Sequence, residues 1–429
     1  MLVALAALLV AVLPLAVETA AAPPAGAALP AGFTDSVAFS GLTQPTNFRF
    51  APDGRIFVAE KGGLIKVFDG LGDPTPTVFA DLRVETYDFW DRGLLGIALN
   101  PDWPSDPNAP GTRTVYVAYS RDADIGGTAP KYGSSTPSSS EFDTCPNPPG
   151  ANADGCVISG RLVKFSASGT SDVAASGPTT LLDGWCQQFP SHSVGDLQVG
   201  ADGMLYLSGG EGANFNTIDY GQYKNLCGDP PTATGTGQTA PTAEGGALRA
   251  QSALRPAGQP VLLSGAVLRL DPSKTASDGF IAGAAGNPFA SSTDPNKARL
   301  AGIGLRNPYR FVTRPGTNEL WIGNVGWATW EAIDRVVDPT ASTITNFGWP
   351  CYEGPAVQPS YQAANLNMCT SLYNTPGSVT APYYAYNHSN QVVPGETCST
   401  ASGSSITGLA FYPTSGGSFP AAYNGALFF

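Results

Sequence analysis

Short apolar runs separated by turns recur along the chain and predict β-strands. In RIFVAE (55–60) and TVYVAYS (114–120), apolar and polar positions alternate, which is the period-two pattern of strands with one buried face. Turns rich in Pro, Asp and Gly follow such runs, and Asp-Gly supplies the positive φ angle that tight turns need. No window of ten or more residues after residue 28 has a clean helical period, so helix should be scarce.

Units of strand, turn and strand repeat along the sequence, at residues 48–70, 96–120, 197–212, 311–326 and 409–429. Small antiparallel sheets repeated at several tens of residues indicate an all-β fold of the β-propeller type, which leaves only short edges exposed. A pair of β-sandwiches and a solenoid are the alternatives. Insertions rich in Gly, Ser, Thr, Ala and Pro are predicted to form long surface loops, at roughly 122–160, 229–262 and 272–299.

Composition supports this fold class and excludes some partners. Charged residues make up only 13% of the 429 residues, whereas there are 51 Gly and 38 Pro, a mixture that suits short strands joined by turns. The formal net charge is -12, and no run of Lys or Arg occurs. Because phosphate backbones and anionic lipids are bound by basic patches, we expect neither a nucleic-acid partner nor binding to an anionic membrane surface.

The N-terminal residues have the composition of an export signal. The apolar run LVALAALLVAVLPLAV (2–17) is too short and too interrupted by Pro for a membrane span, and the stretch after it suits cleavage within Ala20–Ala28. We therefore predict a signal peptide and leader at residues 1–28, secretion to the periplasm or cell exterior, and no membrane span after cleavage. An uncleaved anchor is the alternative, since no Lys or Arg precedes Arg49.

Seven cysteines fit an exported, oxidised protein, and none shows the spacing of a zinc site. The predicted disulfides are Cys145 with Cys156, Cys186 with Cys227, and Cys351 with Cys369. Cys398 is left over, and the chain stops at Phe429 within an apolar run that reads as a strand. Our hypothesis is that the protein continues beyond Phe429 with a closing strand and a partner for Cys398.

Five motifs occur in series: RGLLGIALNPDW (92–103), HSVGDLQVGADGMLYLSGGEG (192–212), GLRNPYR (304–310), NFGWPCYEG (346–354) and SSITGLAFY (404–412). Together they resemble the glucose/sorbosone dehydrogenase family, soluble quinoproteins that oxidise sugars with pyrroloquinoline quinone (PQQ). The resemblance covers about residues 35–429. It implies a six-bladed β-propeller over residues 32–429, with the cofactor on the axis at one end and the last blade incomplete in this chain.

The resemblance also assigns roles to individual residues. His192 matches the general base that removes the proton from the C1 hydroxyl of the sugar, a role that an imidazole can fill at neutral pH. Glu211 matches an acidic position beside the base that is usually Asp. Arg306 and Asn307 match positions that contact the quinone and carboxylate oxygens of the cofactor, and Asp91 falls near a Gln/Glu position opposite it.

By the same resemblance, backbone carbonyls of Gly326 and Trp327 would hold a Ca²⁺ ion on the cofactor. A second, structural Ca²⁺ site is not expected, because Glu331 is not followed by another acid. Ser405 stands where tight binders of the quinone have a Lys nearby, so we expect weaker cofactor binding. His388 lies in no matched motif and is interpreted as a loop residue. The NFGWPCYEG motif is interpreted as structural.

These observations predict a secreted, Ca²⁺- and PQQ-dependent dehydrogenase that oxidises the C1 hydroxyl of an aldose, pyranose or related sugar and passes the electrons to an external acceptor. No Rossmann fingerprint indicates a nicotinamide cofactor. The first alternative is a non-catalytic β-propeller that binds protein or glycan, because fold alone does not fix function. A lactonase or sialidase is a further alternative, although neither an acidic metal cage nor an Arg triad with Tyr can be placed in the sequence.

Overall fold

Antiparallel sheets follow one another along the chain. The structure, a computed structural model, describes residues 33–136, 143–145, 155–392, 395 and 405–429. Residues 1–28, predicted to be an export signal, and Cys398 lie outside the described residues, so the expectations for them stay predictions.

Each of the larger sheets is built from strands that are consecutive or nearly so in the sequence. The first sheet contains β1 (Pro45–Phe50), β2 (Ile56–Glu60), β3 (Leu64–Phe68) and β4 (Thr77–Asp81). The second contains β5 (Leu94–Leu99), β6 (Thr114–Arg121), β7 (Ile158–Ser166) and β8 (Thr179–Gln187). The third contains β9 (Val194–Val199), β10 (Leu205–Gly209), β11 (Ala266–Thr275), β12 (Ile281–Gly283) and β13 (Leu300–Ile303). The fourth begins with β14 (Pro308–Thr313), β15 (Leu320–Asn324) and β16 (Trp330–Val336).

The remaining elements are short. β17 (Thr345–Asn346) pairs in parallel with β13, β18 (Tyr352–Glu353) pairs with β19 (Ala356–Val357), β20 (Tyr384–Asn387) completes the fourth sheet beside β16, and β21 (Ala410–Phe411) pairs with β22 (Leu427–Phe428). The helices are α1 (Pro295–Arg299), α2 (Pro359–Ala363), α3 (Asn367–Tyr373) and 3₁₀ turns at Gly246–Leu254 and Ala421–Tyr423. Helix is therefore scarce, as predicted. No helix in the described ranges is long and apolar enough to cross a membrane.

Apolar clusters fill the space between successive sheets. They include Phe57, Phe79, Ile97 and Val117 between the first and second sheets, Leu162, Leu182, Leu197 and Leu207 between the second and third, and Tyr206, Val267, Phe311 and Ile322 between the third and fourth. β6 is buried along its whole length, because the second sheet has a neighbour on each side. β2 is also buried throughout, because its other face packs against Phe39 and Leu42 of the segment before β1. The alternation in these strands predicted only one buried face, and that prediction was wrong.

The first strands of the four sheets lie around a common centre. β1 contacts β5, β5 contacts β9, and β9 contacts β14. Hydrogen bonds cross this centre: the Asn47 side chain donates to Asp196 over 2.8 Å, and Arg310 donates to the Thr46 carbonyl over 2.7 Å. The described residues thus form a mostly-β fold of successive antiparallel sheets. Six blades, and an incomplete last one, stay predictions.

The insertion at 229–262 is a surface loop only in part: residues 231–242 are mostly exposed, as predicted, whereas residues 245–253 are buried. Arg249 and Arg255 are buried in it and share the buried carboxylate of Asp229, at 2.7 and 2.9 Å. Ion pairing within the insertion lets its polar residues be buried together with its many small ones. The insertion at 272–299 contains β12 and α1, so it is not a structureless loop either.

Disulfides confirm the cysteine pairing expected from the sequence. The bonded pairs are Cys145 with Cys156, Cys186 with Cys227, and Cys351 with Cys369. The second joins β8 to the segment just before the insertion at 229–262, and the third joins the turn before β18 to α3.

Candidate active site

One edge of the sheets gathers the predicted site residues. Asp91 lies just before β5, His192 just before β9, and Arg306 and Asn307 just before β14. Each of these residues precedes the first strand of its sheet, and they meet at one edge. There they line a cavity of about 690 Å³, a size typical of small-molecule sites.

His192 is held in a buried pair with Glu211. Nδ1 of the imidazole lies 2.7 Å from Oε1 of the carboxylate, and the two side chains are 5% and 2% exposed. The second oxygen of Glu211 is buried and has no hydrogen-bond partner within the described ranges. The longer side chain, which replaces the expected Asp, therefore still reaches the imidazole.

The backbone fixes this pair as well. His192 has a φ of 50°, in the left-handed region, which histidine visits more readily than most residues. Its carbonyl accepts from the Gly212 N–H over 3.1 Å. A Cβ at position 210 would lie only 2.6 Å from that of His192, so only Gly210 permits this approach. The β9–β10 hairpin thus places the imidazole and the carboxylate side by side.

Arg306 forms the adjacent part of the wall. Its Nη1 donates to the Gly326 carbonyl and, over 3.2 Å, to the Val325 carbonyl. The guanidinium lies 5.5 Å from the centre of the Trp349 ring. Burial lowers the pKa of Arg306, and the nearby carboxylates of Glu211, Glu353 and Glu331 oppose that shift. Its own carbonyl accepts from the Glu211 N–H over 3.0 Å, which joins the two halves of the site.

A half-buried amide positions the backbone at 306 and 307. Asn324 Oδ1 accepts from the backbone N–H groups of Arg306 and Asn307, each over 3.1 Å. Its amide nitrogen donates to Asp334 over 2.9 Å. Burial raises the pKa of Asp334 to about 7. Asp334 therefore fixes the orientation of Asn324, and through it the backbone of Arg306 and Asn307.

The predicted metal-binding carbonyls lie in a turn between β15 and β16. Gly326 and Trp327 both line the cavity. Oε1 of Glu353 accepts from four successive backbone N–H groups of this turn, from Trp327 to Trp330, over 2.7 to 3.2 Å. The motif that contains Glu353 therefore shapes the site. No cluster of three or more His, Cys, Asp or Glu side chains suited to a metal occurs in the described part of the chain, so the Ca²⁺ ion stays a prediction.

Asp91 lies at the rim. It is exposed, lines the cavity and accepts from the Ser191 hydroxyl over 3.1 Å. The structure thus brings all seven predicted residues together, six on the cavity wall and Glu211 directly behind His192.

Further cavity residues were missed. Lys61, whose Nζ donates to the Asp88 carbonyl, and Trp90 lie on the wall with Asp91. Lys61 follows β2, and its position in a turn at this edge is a signal that could have found it. His388 lies in the turn after β20, as a loop residue, but no motif indicated that it reaches the cavity, where it pairs with Glu331.

Comparison with known proteins supports the motif-based resemblance. Residues 42–229 match the family model described as Glucose / Sorbosone dehydrogenase. Similar solved structures include a glucose dehydrogenase from Thermus thermophilus, with 22% identity over 81% of this chain and 71% of that one and a TM-score of 0.49. The PQQ-bound aldose sugar dehydrogenase from Streptomyces coelicolor has 17% identity over 82% and 71%, with a TM-score of 0.49. The apo-form of the soluble aldose sugar dehydrogenase from Escherichia coli has 17% identity over 82% and 74%, with a TM-score of 0.45. The expected resemblance is thus confirmed: residues 42–229 of this chain match the glucose/sorbosone dehydrogenase family.

Proposed function

We propose that the protein is a secreted, PQQ- and Ca²⁺-dependent dehydrogenase with a six-bladed propeller fold. It would oxidise the C1 hydroxyl of an aldose, pyranose or related sugar. The observation that carries this proposal is the buried His192–Glu211 pair beside a cavity whose adjacent wall presents Arg306. The family match over residues 42–229 supports the reaction class, and three disulfides support an oxidising compartment.

The residues of the cavity fit an anionic, planar aromatic cofactor. Arg306 and Lys61 provide positive charge on its wall, and Trp90, Phe215 and Trp327 provide flat aromatic surfaces. Arg306 and Asn307 would hold carboxylate or quinone oxygens, with Asp91 at the opposite rim. The carbonyls of Trp327 and of Gly326, which also accepts from Arg306, would hold the Ca²⁺ ion. When bound, PQQ supplies the two-electron acceptor for the hydride that leaves the sugar.

The protein's own residues supply the proton chemistry. With Nδ1–H donated to Glu211, the neutral His192 ring has a free lone pair on Nε2, which can accept the proton of the C1 hydroxyl. Glu211 keeps the ring in this tautomer and stabilises the positive charge that forms on it. Because both side chains are buried, their attraction is weakly screened by water.

Reconstitution tests this function. The purified protein is titrated with PQQ in the presence of Ca²⁺ or of a chelator, the shift of the quinone absorbance is followed, and sugars are then screened with an artificial dye acceptor. We expect Ca²⁺-dependent binding and dye reduction with at least one aldose. A protein that binds no quinone and reduces no dye would instead fit the non-catalytic binding module.

A further inference from the structure

A second pair of imidazole and carboxylate lines the same cavity. Nε2 of His388 lies 2.8 Å from Oε1 of Glu331, and the two side chains are 15% and 1% exposed. Glu331 is on β16 and His388 follows β20, and these strands pair directly beside the contact, with Trp330 opposite Asn387. The fourth sheet therefore fixes this pair, just as the β9–β10 hairpin fixes the first.

Glu331 connects three segments of the wall. Besides His388, its carboxylate accepts from the backbone N–H of Gly326, over 3.3 Å, and of Ile406, over 2.9 Å. One buried carboxylate thus holds the turn of Gly326, the turn of His388 and the segment around Ile406 in fixed positions. Three donors also compensate the cost of burying its charge.

The exposed polar groups of this wall are suited to hydrogen bonding with the hydroxyl groups of a ligand. In the neutral tautomer that donates Nε2–H to Glu331, the His388 ring has a bare Nδ1, which has no hydrogen-bond partner among the residues described. Ser405 and Thr407 line the cavity beside Ile406 and are exposed. The side chains of these three residues carry an acceptor and two hydroxyls and no fixed charge, which suits a polyhydroxylated neutral molecule.

We propose that His388, Ser405 and Thr407 form a subsite that binds hydroxyl groups of the substrate, with Nδ1 of His388 accepting one hydroxyl hydrogen. This inference rests on the proposed function, since the substrate class is the sugar. His388 is then a specificity-determining residue and Glu331 is a positioning residue. A site built to bind a hydroxyl discriminates strongly against analogues that lack it.

Two substitutions at position 388 separate an effect on sugar binding from an effect on the stability of the fold. In His388→Gln, the side-chain amide can reach the position of Nε2 and keep the bond to Glu331, but no acceptor remains at Nδ1. In His388→Asn, the amide lies near Nδ1, and Glu331 loses a donor. Tyr384→Phe is the matched control. Tyr384 lies in β20, just before His388, and its hydroxyl donates to the Val392 carbonyl outside the cavity.

Binding of D-glucose, D-galactose and D-xylose is measured on the cofactor-free protein by calorimetry, together with thermal unfolding. We expect the affinity for the sugar that binds best to fall by about three- to tenfold in His388→Gln without a change in unfolding temperature. His388→Asn should keep more of the affinity and unfold at a lower temperature. Tyr384→Phe should bind as the wild type does.

The inference is overturned if His388→Gln binds the sugar as the wild type does, or if the wild type binds none of the three sugars. Quinone titration of the same preparations reports separately on the proposed function. Sugar binding that depends on His388, without quinone binding, would support the subsite and contradict the proposed dehydrogenase function.

Discussion

At the scale of single residues, the buried Asp334 positions Arg306 and Asn307 without touching either of them. It is 2% exposed, and the Asn324 amide that it orients holds both backbone N–H groups at 306 and 307. A carboxyl so far from water prefers its neutral form, which explains the direction of its pKa shift.

The stability of the protein should therefore depend on pH through this group. Its pKa rises from 3.8 to about 7 on folding. The folded protein then binds the proton more tightly, so the stabilisation is fully present below pH 3.8 and is lost as pH rises through 7. Relative to Asp334→Asn, the wild type should lose up to about 1.4 kcal/mol per pH unit across this window. Urea unfolding of both proteins from about pH 4 to 7 measures the difference. If the free energies of unfolding of the two proteins changed in parallel with pH, Asp334 would not be the source of this pH dependence.

The family resemblance predicted one pair of imidazole and carboxylate, and the other was missed for a physical reason. His192 and Glu211 are 19 residues apart and flank one tight hairpin, so antiparallel pairing alone brings them together. His388 and Glu331 are 57 residues apart. The chain between β16 and β20 passes through short helices and a small hairpin, and no periodicity indicates that it returns to β16.

At the scale of elements, the turn between β15 and β16 depends on a residue from a distant motif. Glu353→Ala would leave four backbone N–H groups without their acceptor and loosen the carbonyls that hold Arg306. We expect a loss of about 1–3 kcal/mol in the free energy of unfolding and weaker quinone binding. Asp338→Asn, in an exposed turn with a bond to the Thr340 N–H, is the control and should change neither strongly. Equal effects of the two substitutions would exclude a special role for Glu353.

Strand periodicity predicted the hairpins well and burial poorly. The repeat at 48–70 is β1 to β3, and the one at 197–212 is β9 and β10. Whether a strand has one or two buried faces depends on neighbouring sheets, which a local window does not contain. The same limit applies to the insertion at 229–262, where pairing of Arg255 with Asp229 makes polar residues compatible with burial.

At the scale of the whole molecule, disulfides close loops of different lengths. Cys186 and Cys227 close a separation of 41 residues, and Cys145 and Cys156 one of 11. Removing the first pair as Cys186→Ala/Cys227→Ala should cost about 2–4 kcal/mol, roughly 1 kcal/mol more than removing the second, because a longer loop loses more entropy when closed. Denaturant unfolding compares the two double variants. The reverse order would show that loop closure does not govern their stability.

The most direct test of the central claim is single-turnover reduction of bound quinone in the wild type and in His192→Ala. Protein loaded with PQQ and Ca²⁺ is mixed rapidly with the sugar that gave dye reduction, without an electron acceptor, and the quinone absorbance is followed. We predict equal quinone binding by both proteins and a reduction rate about 10²–10⁴-fold lower in His192→Ala. Reduction of the quinone at the wild-type rate by His192→Ala would contradict the account, because the buried pair of His192 and Glu211 would then not be the base.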